Sequence, residues 1–118
     1  MNLVIIAPNG EACVRSMQYV KWETYDIEIQ DSYSSLRSAL TGCMKNSPDL
    51  ILIHPWGEMR LVFDFCSAII GQNPAAKIIL AGAQRRYEYV QTAVNMGIFA
   101  YLPMGEDTPV QFDMILRR

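Results

Sequence analysis

Five short apolar runs punctuate the chain: Leu3 to Ile6, Ile27 to Ile29, Leu50 to Ile53, Ile78 to Leu80 and Phe99 to Leu102. Most are continuous rather than alternating, as expected of parallel strands covered by helices on both faces. Between the runs the spacing of apolar residues changes to that of a helix. The stripes are Cys13, Met17 and Val20; Leu36, Ala39, Leu40 and Cys43; Val62, Phe65, Cys66 and Ile69; Val90, Ala93 and Val94; and Phe112, Ile115 and Leu116. Each predicts a helix with one face turned to a core. Local stops agree: Ser34 or Ser35 caps the second helix and Asn46-Ser47-Pro48 ends it. Asn73-Pro74 ends the third, Gly97 ends the fourth, and Pro109 opens the fifth.

Strand and helix therefore alternate five times, which predicts an α/β fold with a parallel sheet and right-handed crossovers. The expected architecture is a flavodoxin-like, doubly wound five-stranded sheet in the order 2-1-3-4-5, with helices on both faces. At 118 residues the chain has room for one domain, spanning residues 1–118. Ten basic and twelve acidic residues leave a net charge of −2 with no basic cluster, so direct nucleic-acid binding is not expected. The apolar runs are far too short for a membrane span, and Met1 to Pro8 lacks the charged start and cleavage site of a signal peptide. A cytoplasmic protein without membrane contact is the expectation. Three cysteines with no CxxC pair, Cys13, Cys43 and Cys66, fall on the apolar sides of helices and read as buried free thiols.

Ligands of such sheets lie beyond the carboxyl ends of the strands, at the switch point between the first and third. Here those ends carry Ala7-Pro8-Asn9, His54-Pro55-Trp56, Ala81-Gly82-Ala83 and Pro103-Met104-Gly105. Along its whole length the chain resembles the receiver (CheY-like) domain of response regulators, and within it the branch found ahead of AraC-type DNA-binding domains. The residues that carry the likeness are Lys21-Trp22-Glu23, Ser47-Pro48-Asp49-Leu50-Ile51-Leu52-Ile53, Asn73-Pro74, Tyr87-Glu88-Tyr89-Val90-Gln91 through Gly97, and Tyr101-Leu102. They match the family's spacing without an insertion or deletion.

The resemblance implies a pocket with a Mg²⁺-binding acidic pair, an Asp that accepts phosphate, a hydroxyl residue and a Lys. Those positions fall on Ala7 and Pro8, His54, Gly82 and Met104. All depart from the pattern. Neither Ala nor Pro offers a side-chain oxygen to Mg²⁺, and a transferring phosphoryl group would lack a counter-charge. No metal, no cofactor and no enzymatic activity are expected. Asn9, Glu11 and Glu58 are the nearest polar residues in sequence, a thin basis for a metal site around His54. The tyrosine that swings toward a phosphate-bound hydroxyl in the family corresponds to Tyr101, whose partner position is Gly82.

What is left to the chain is a non-phosphorylatable pseudo-receiver of a two-component-type transcriptional regulator. It is expected to act through the surface of the fourth helix, last strand and fifth helix. Arg85, Arg86, Tyr87, Tyr89 and Tyr101 are the candidate contact residues, since Arg and aromatic side chains are enriched in interface cores. The alternative for Tyr87 and Tyr89 is that they cover the sheet with their hydroxyls in water. Expected partners are a second copy or a C-terminal DNA-binding output domain, because the chain ends at Arg118, where a receiver meets its linker. A domain excised from a longer regulator is therefore expected. Two alternatives stay open: a stand-alone adaptor, and a pocket turned to small-molecule sensing, with Ala7, Gly82 and Ala83 leaving room beside Trp56 and Met104. A flavodoxin-like redox or nucleotide domain is disfavoured by the lack of a Gly-rich phosphate loop after the first strand.

Overall fold

A computed structural model describes all 118 residues. The strands are β1 (Asn2–Ile6), β2 (Glu28–Tyr33), β3 (Leu50–Ile53), β4 (Lys77–Ala83) and β5 (Ala100–Pro103). The helices are α1 (Gly10–Tyr19), α2 (Leu36–Asn46), α3 (Met59–Gln72), α4 (Tyr87–Met96) and α5 (Pro109–Leu116), with a 3₁₀ turn over Trp22–Tyr25. The sheet is parallel throughout and ordered β2-β1-β3-β4-β5, as expected.

Alternation along the strands divides the core in two. Val4, Ile6, Ile51, Ile53, Ile78 and Leu80 face α2 and α3, where they meet Ala39, Cys43, Val62, Phe65, Cys66 and Ile69. Leu3, Ile5, Leu50, Leu52, Ile79 and Ala81 face the other way, against Trp22, Phe112 and Ile115. Phe112 of α5 is fully buried and packs edge-on against Tyr19 and Trp22, which ties α5 to the α1 side of the sheet. The three cysteines are free and buried.

The stop signals act as read. Ser35 Oγ accepts from the Ser38 amide at 3.1 Å, and Thr108 Oγ1 accepts from the Gln111 amide ahead of Pro109. Gly97, at φ 85°, closes α4 in the left-handed conformation that glycine adopts at least cost.

Three expectations need correcting. The second strand runs on to Tyr33 rather than stopping at Ile29. It is an edge strand, so its outer positions carry polar residues such as Gln30 and Asp31 instead of a continuous apolar run. The fourth strand extends to Ala83 through small residues that are weak strand formers on their own. Val94 is 65% exposed, because α4 turns Tyr89, Ala93 and Met96 toward the sheet and its neighbours and leaves Val94 outside that stripe.

Candidate functional site

Strand register brings the carboxyl ends of β1, β3, β4 and β5 to one edge. Ile6 pairs with Ile53, Ile53 with Leu80, and Ala83 with Pro103. His54 follows directly, its amide donating to the Ile6 carbonyl at 2.8 Å. Period-two alternation carries its side chain to the same face as Leu50 and Leu52, the face that α1 covers. There its Nε2 lies 2.8 Å from the hydroxyl of Ser16, a buried polar residue at 4% exposure.

Burial holds the His54 pKa below its ordinary value, and the Arg15 guanidinium adds to the effect. The Asp107 carboxylate and a hydrogen bond to the Ala81 backbone pull in the opposite direction without cancelling it. With burial as the dominant influence, the ring favours the neutral imidazole, in which one nitrogen donates and the other accepts. Two of the groups acting on His54, Arg15 and Asp107, therefore carry opposite charge.

These residues border a solvent-open pocket of about 360 Å³ lined by Pro8, Ala12, Arg15, Ser16, Tyr19, His54, Pro55 and Asp107. One stripe of α1 supplies four of them, since Ala12, Arg15, Ser16 and Tyr19 are three or four residues apart. Asp107 arrives from the β5–α5 loop. The Tyr19 hydroxyl donates to its backbone carbonyl, and its carboxylate accepts from the Gly105 amide at 3.2 Å.

Of the five positions singled out at this edge, Pro8 and His54 line the pocket. Ala7 is fully buried beside it. Gly82 adopts φ +73° at an irregularity in the β4–β5 ladder, and a Cβ built there would stand 3.2 Å from Asp107 Oδ2. The carboxylate of Asp107 thus occupies the space over residue 82. Met104 points outward, 66% exposed, with its amide bonded to the Ala83 carbonyl at 2.7 Å. The pocket at this edge lies on the α1 side, and Ala7, Gly82, Ala83, Trp56 and Met104 are not among its lining residues.

The polar residues nearest in sequence are otherwise engaged. Asn9 caps α1 by accepting from the Ala12 amide at 2.8 Å, Glu11 pairs with Arg15 at 3.0 Å, and Glu58 pairs with Arg60 at 3.5 Å. Ser16, Arg15, Tyr19 and Asp107 escape a reading of strand ends, and the α1 stripe read from the sequence, Cys13, Met17 and Val20, is not the one that lines the pocket.

The second region lies on α4, β5 and α5. Arg86 bonds Glu88 and stacks 4.8 Å above the ring of Tyr89, which itself packs on Phe63. Tyr89 is therefore half-buried and covers the core, whereas Tyr87 is 79% exposed. Arg85 reaches Glu106 at 3.0 Å and the Met104 carbonyl at 3.2 Å. The Tyr101 hydroxyl donates to the Gln84 carbonyl, and burial holds its pKa above the ordinary value. Val94, Met104, Val110 and Met114 stand exposed around this face together with Tyr87.

The fold is that of response-regulator receiver domains. A receiver (REC) domain of AraT, a response regulator from Geobacillus stearothermophilus, superposes with a TM-score of 0.79 at 13% identity, over 98% of this chain and 90% of that one. A two-component response regulator from Clostridium difficile gives 0.78 at 20% identity, over 100% and 97%. A putative pilus assembly protein from Burkholderia thailandensis gives 0.81 at 11% identity, over 100% and 96%. No protein-family model and no curated protein matches the sequence. At these identities the likeness is one of fold, and fold alone does not select an output. No helix is long and apolar enough to cross a membrane.

Proposed function

We propose that this chain is a receiver-like regulatory domain that works without phosphorylation, as the regulatory part of a transcriptional response regulator. The observation that carries the reading is the state of the position after β3. A neutral His54, tied to Ser16, stands where a receiver's acceptor carboxylate would be. Around it, Ala7 and Pro8 offer no oxygen to a Mg²⁺, and Met104 turns a thioether outward where a Lys would meet the phosphoryl charge. Gly82 has no hydroxyl to draw on Tyr101, whose own hydroxyl is already bonded to Gln84.

Signalling then falls to the α4–β5–α5 face. Its exposed Tyr87, Val94, Val110 and Met114, set among Arg85, Arg86 and Glu106, fit contact with a second copy or with a C-terminal DNA-binding output domain. Sedimentation of the protein with and without acetyl phosphate and Mg²⁺ tests the reading. The association state is expected to be the same in both; a change driven by the phosphoryl donor would overturn it.

A further inference from the structure

The pocket beside α1 has a feature that neither a phosphorylation site nor a docking face requires. Two opposite charges line it without meeting. Arg15 is engaged only by the exposed Glu11 on its own helix, through Nη1, which leaves the rest of the guanidinium free. Asp107 forms no ion pair with any basic side chain; its carboxylate accepts only the Gly105 amide. Between them lies the Ser16–His54 pair, a neutral hydrogen-bonding floor.

Each charge excludes a class of ligand. A simple anion drawn to Arg15 is opposed by Asp107, and a simple cation drawn to Asp107 is opposed by Arg15. An apolar molecule would strip water from both and return nothing. A molecule bearing one charge of each sign satisfies both at once, with charge-assisted hydrogen bonds to each end. The volume of about 360 Å³ sits at the small end of ligand pockets and leaves room for an amino acid or a slightly longer amino-carboxylate with some of its water. The site is also held in place before any ligand arrives: Tyr19 clamps the Asp107 backbone to α1, and the fully buried Phe112 anchors α5 just beyond it.

We propose that this pocket binds a small zwitterion carrying a free ammonium and a free carboxylate. The carboxylate lies against Arg15, the ammonium against Asp107, and the Ser16–His54 pair supplies the hydrogen-bonding floor between them. Binding joins the β5–α5 loop to α1 and bears on the start of α5, the helix that also presents Val110 and Met114. The inference stands independently of the proposed phosphorylation-free signalling, since it uses the pocket as it is.

The chain contains a single histidine, so the ring protons of His54 give unambiguous NMR signals from the floor of the site. The probes are glycine, β-alanine, 4-aminobutyrate and 5-aminovalerate, which step the charges apart, each compared with its N-acetyl derivative and its carboxamide. At least one free amino acid is expected to move the His54 signals saturably. Capping either end should weaken binding about tenfold or more. Arg15→Gln should bind the acid and the carboxamide alike, and Asp107→Asn should bind the free and acetylated amine alike, as coupled partners in a double-mutant cycle do. The proposal is overturned if no free amino acid shifts His54, if a capped form binds as tightly as the free one, or if inorganic phosphate alone produces the shift. None of these results touches phosphoryl transfer, which has its own assay.

Discussion

The strand-end edge draws most of its side chains from the first half of the chain and the α4–β5–α5 face from the second, and the two treat those side chains oppositely. At the edge, polar groups answer one another: Ser16 to His54, Tyr19 to the Asp107 carbonyl, Asn9 to the start of α1. On the face, charges pair in water, where such pairs contribute little. There the larger side chains, Tyr87, Val94, Met104, Val110 and Met114, are left exposed. The edge keeps two charges apart, Arg15 and Asp107, over a buried hydrogen-bonded pair, while the face keeps apolar side chains in water. On the readings proposed above, communication belongs to the second region and small-molecule recognition to the first.

Phe112 joins the two regions, because it is fully buried under α1 residues while its helix displays Val110 and Met114. Phe112→Ala is expected to cost about 3–5 kcal/mol, read as a lowered urea midpoint, and to disturb both regions together. A loss below 1 kcal/mol, on the order of a surface change, would separate them. Gly82→Thr acts on the edge alone. The left-handed backbone and the nearby Asp107 carboxylate both oppose a β-branched side chain, so about 1–2 kcal/mol should be lost in the same assay.

His54 sharpens the comparison through pH. Burial lowers its pKa, so the folded protein releases the proton more readily than the unfolded chain. Its stabilising contribution is complete above the ordinary value of 6.5 and is lost as pH falls through 6.5 toward the folded value. Urea titrations across this range should show stability declining on acidification, with that component absent in His54→Gln. An unchanged slope in the variant would mean that the ring is not held neutral. The smallest effect belongs to the face: Tyr87→Gln and Met114→Gln should each change stability by no more than about 0.5 kcal/mol while, on the proposed reading, weakening self-association in sedimentation.

The sheet order is legible in the sequence because continuous β-branched runs and helical stripes alternate without interruption. Where the reading falls short, the cause is local. The edge strand β2 hides behind Gln30 and Asp31, and the Trp22–Tyr25 turn is too short to have a period. His54 is placed correctly at its strand end, but its partner is not foreseen, since a lone serine within a helix carries no distinctive signal. The spacing of Ala12, Arg15, Ser16 and Tyr19 marks the stripe that lines the pocket. Asp107 is harder to read: it sits in a loop, and only the fold of β5 back toward α1 brings it near a residue more than fifty positions earlier in sequence.

The central claim is that the edge does not accept a phosphoryl group, and intact-protein mass measured after incubation with acetyl phosphate and Mg²⁺ tests it most directly. Wild type and His54→Asp are both expected to keep their starting mass, because restoring one carboxylate leaves Ala7, Pro8 and Met104 in place. A stable gain of one phosphoryl group on either protein would contradict the account.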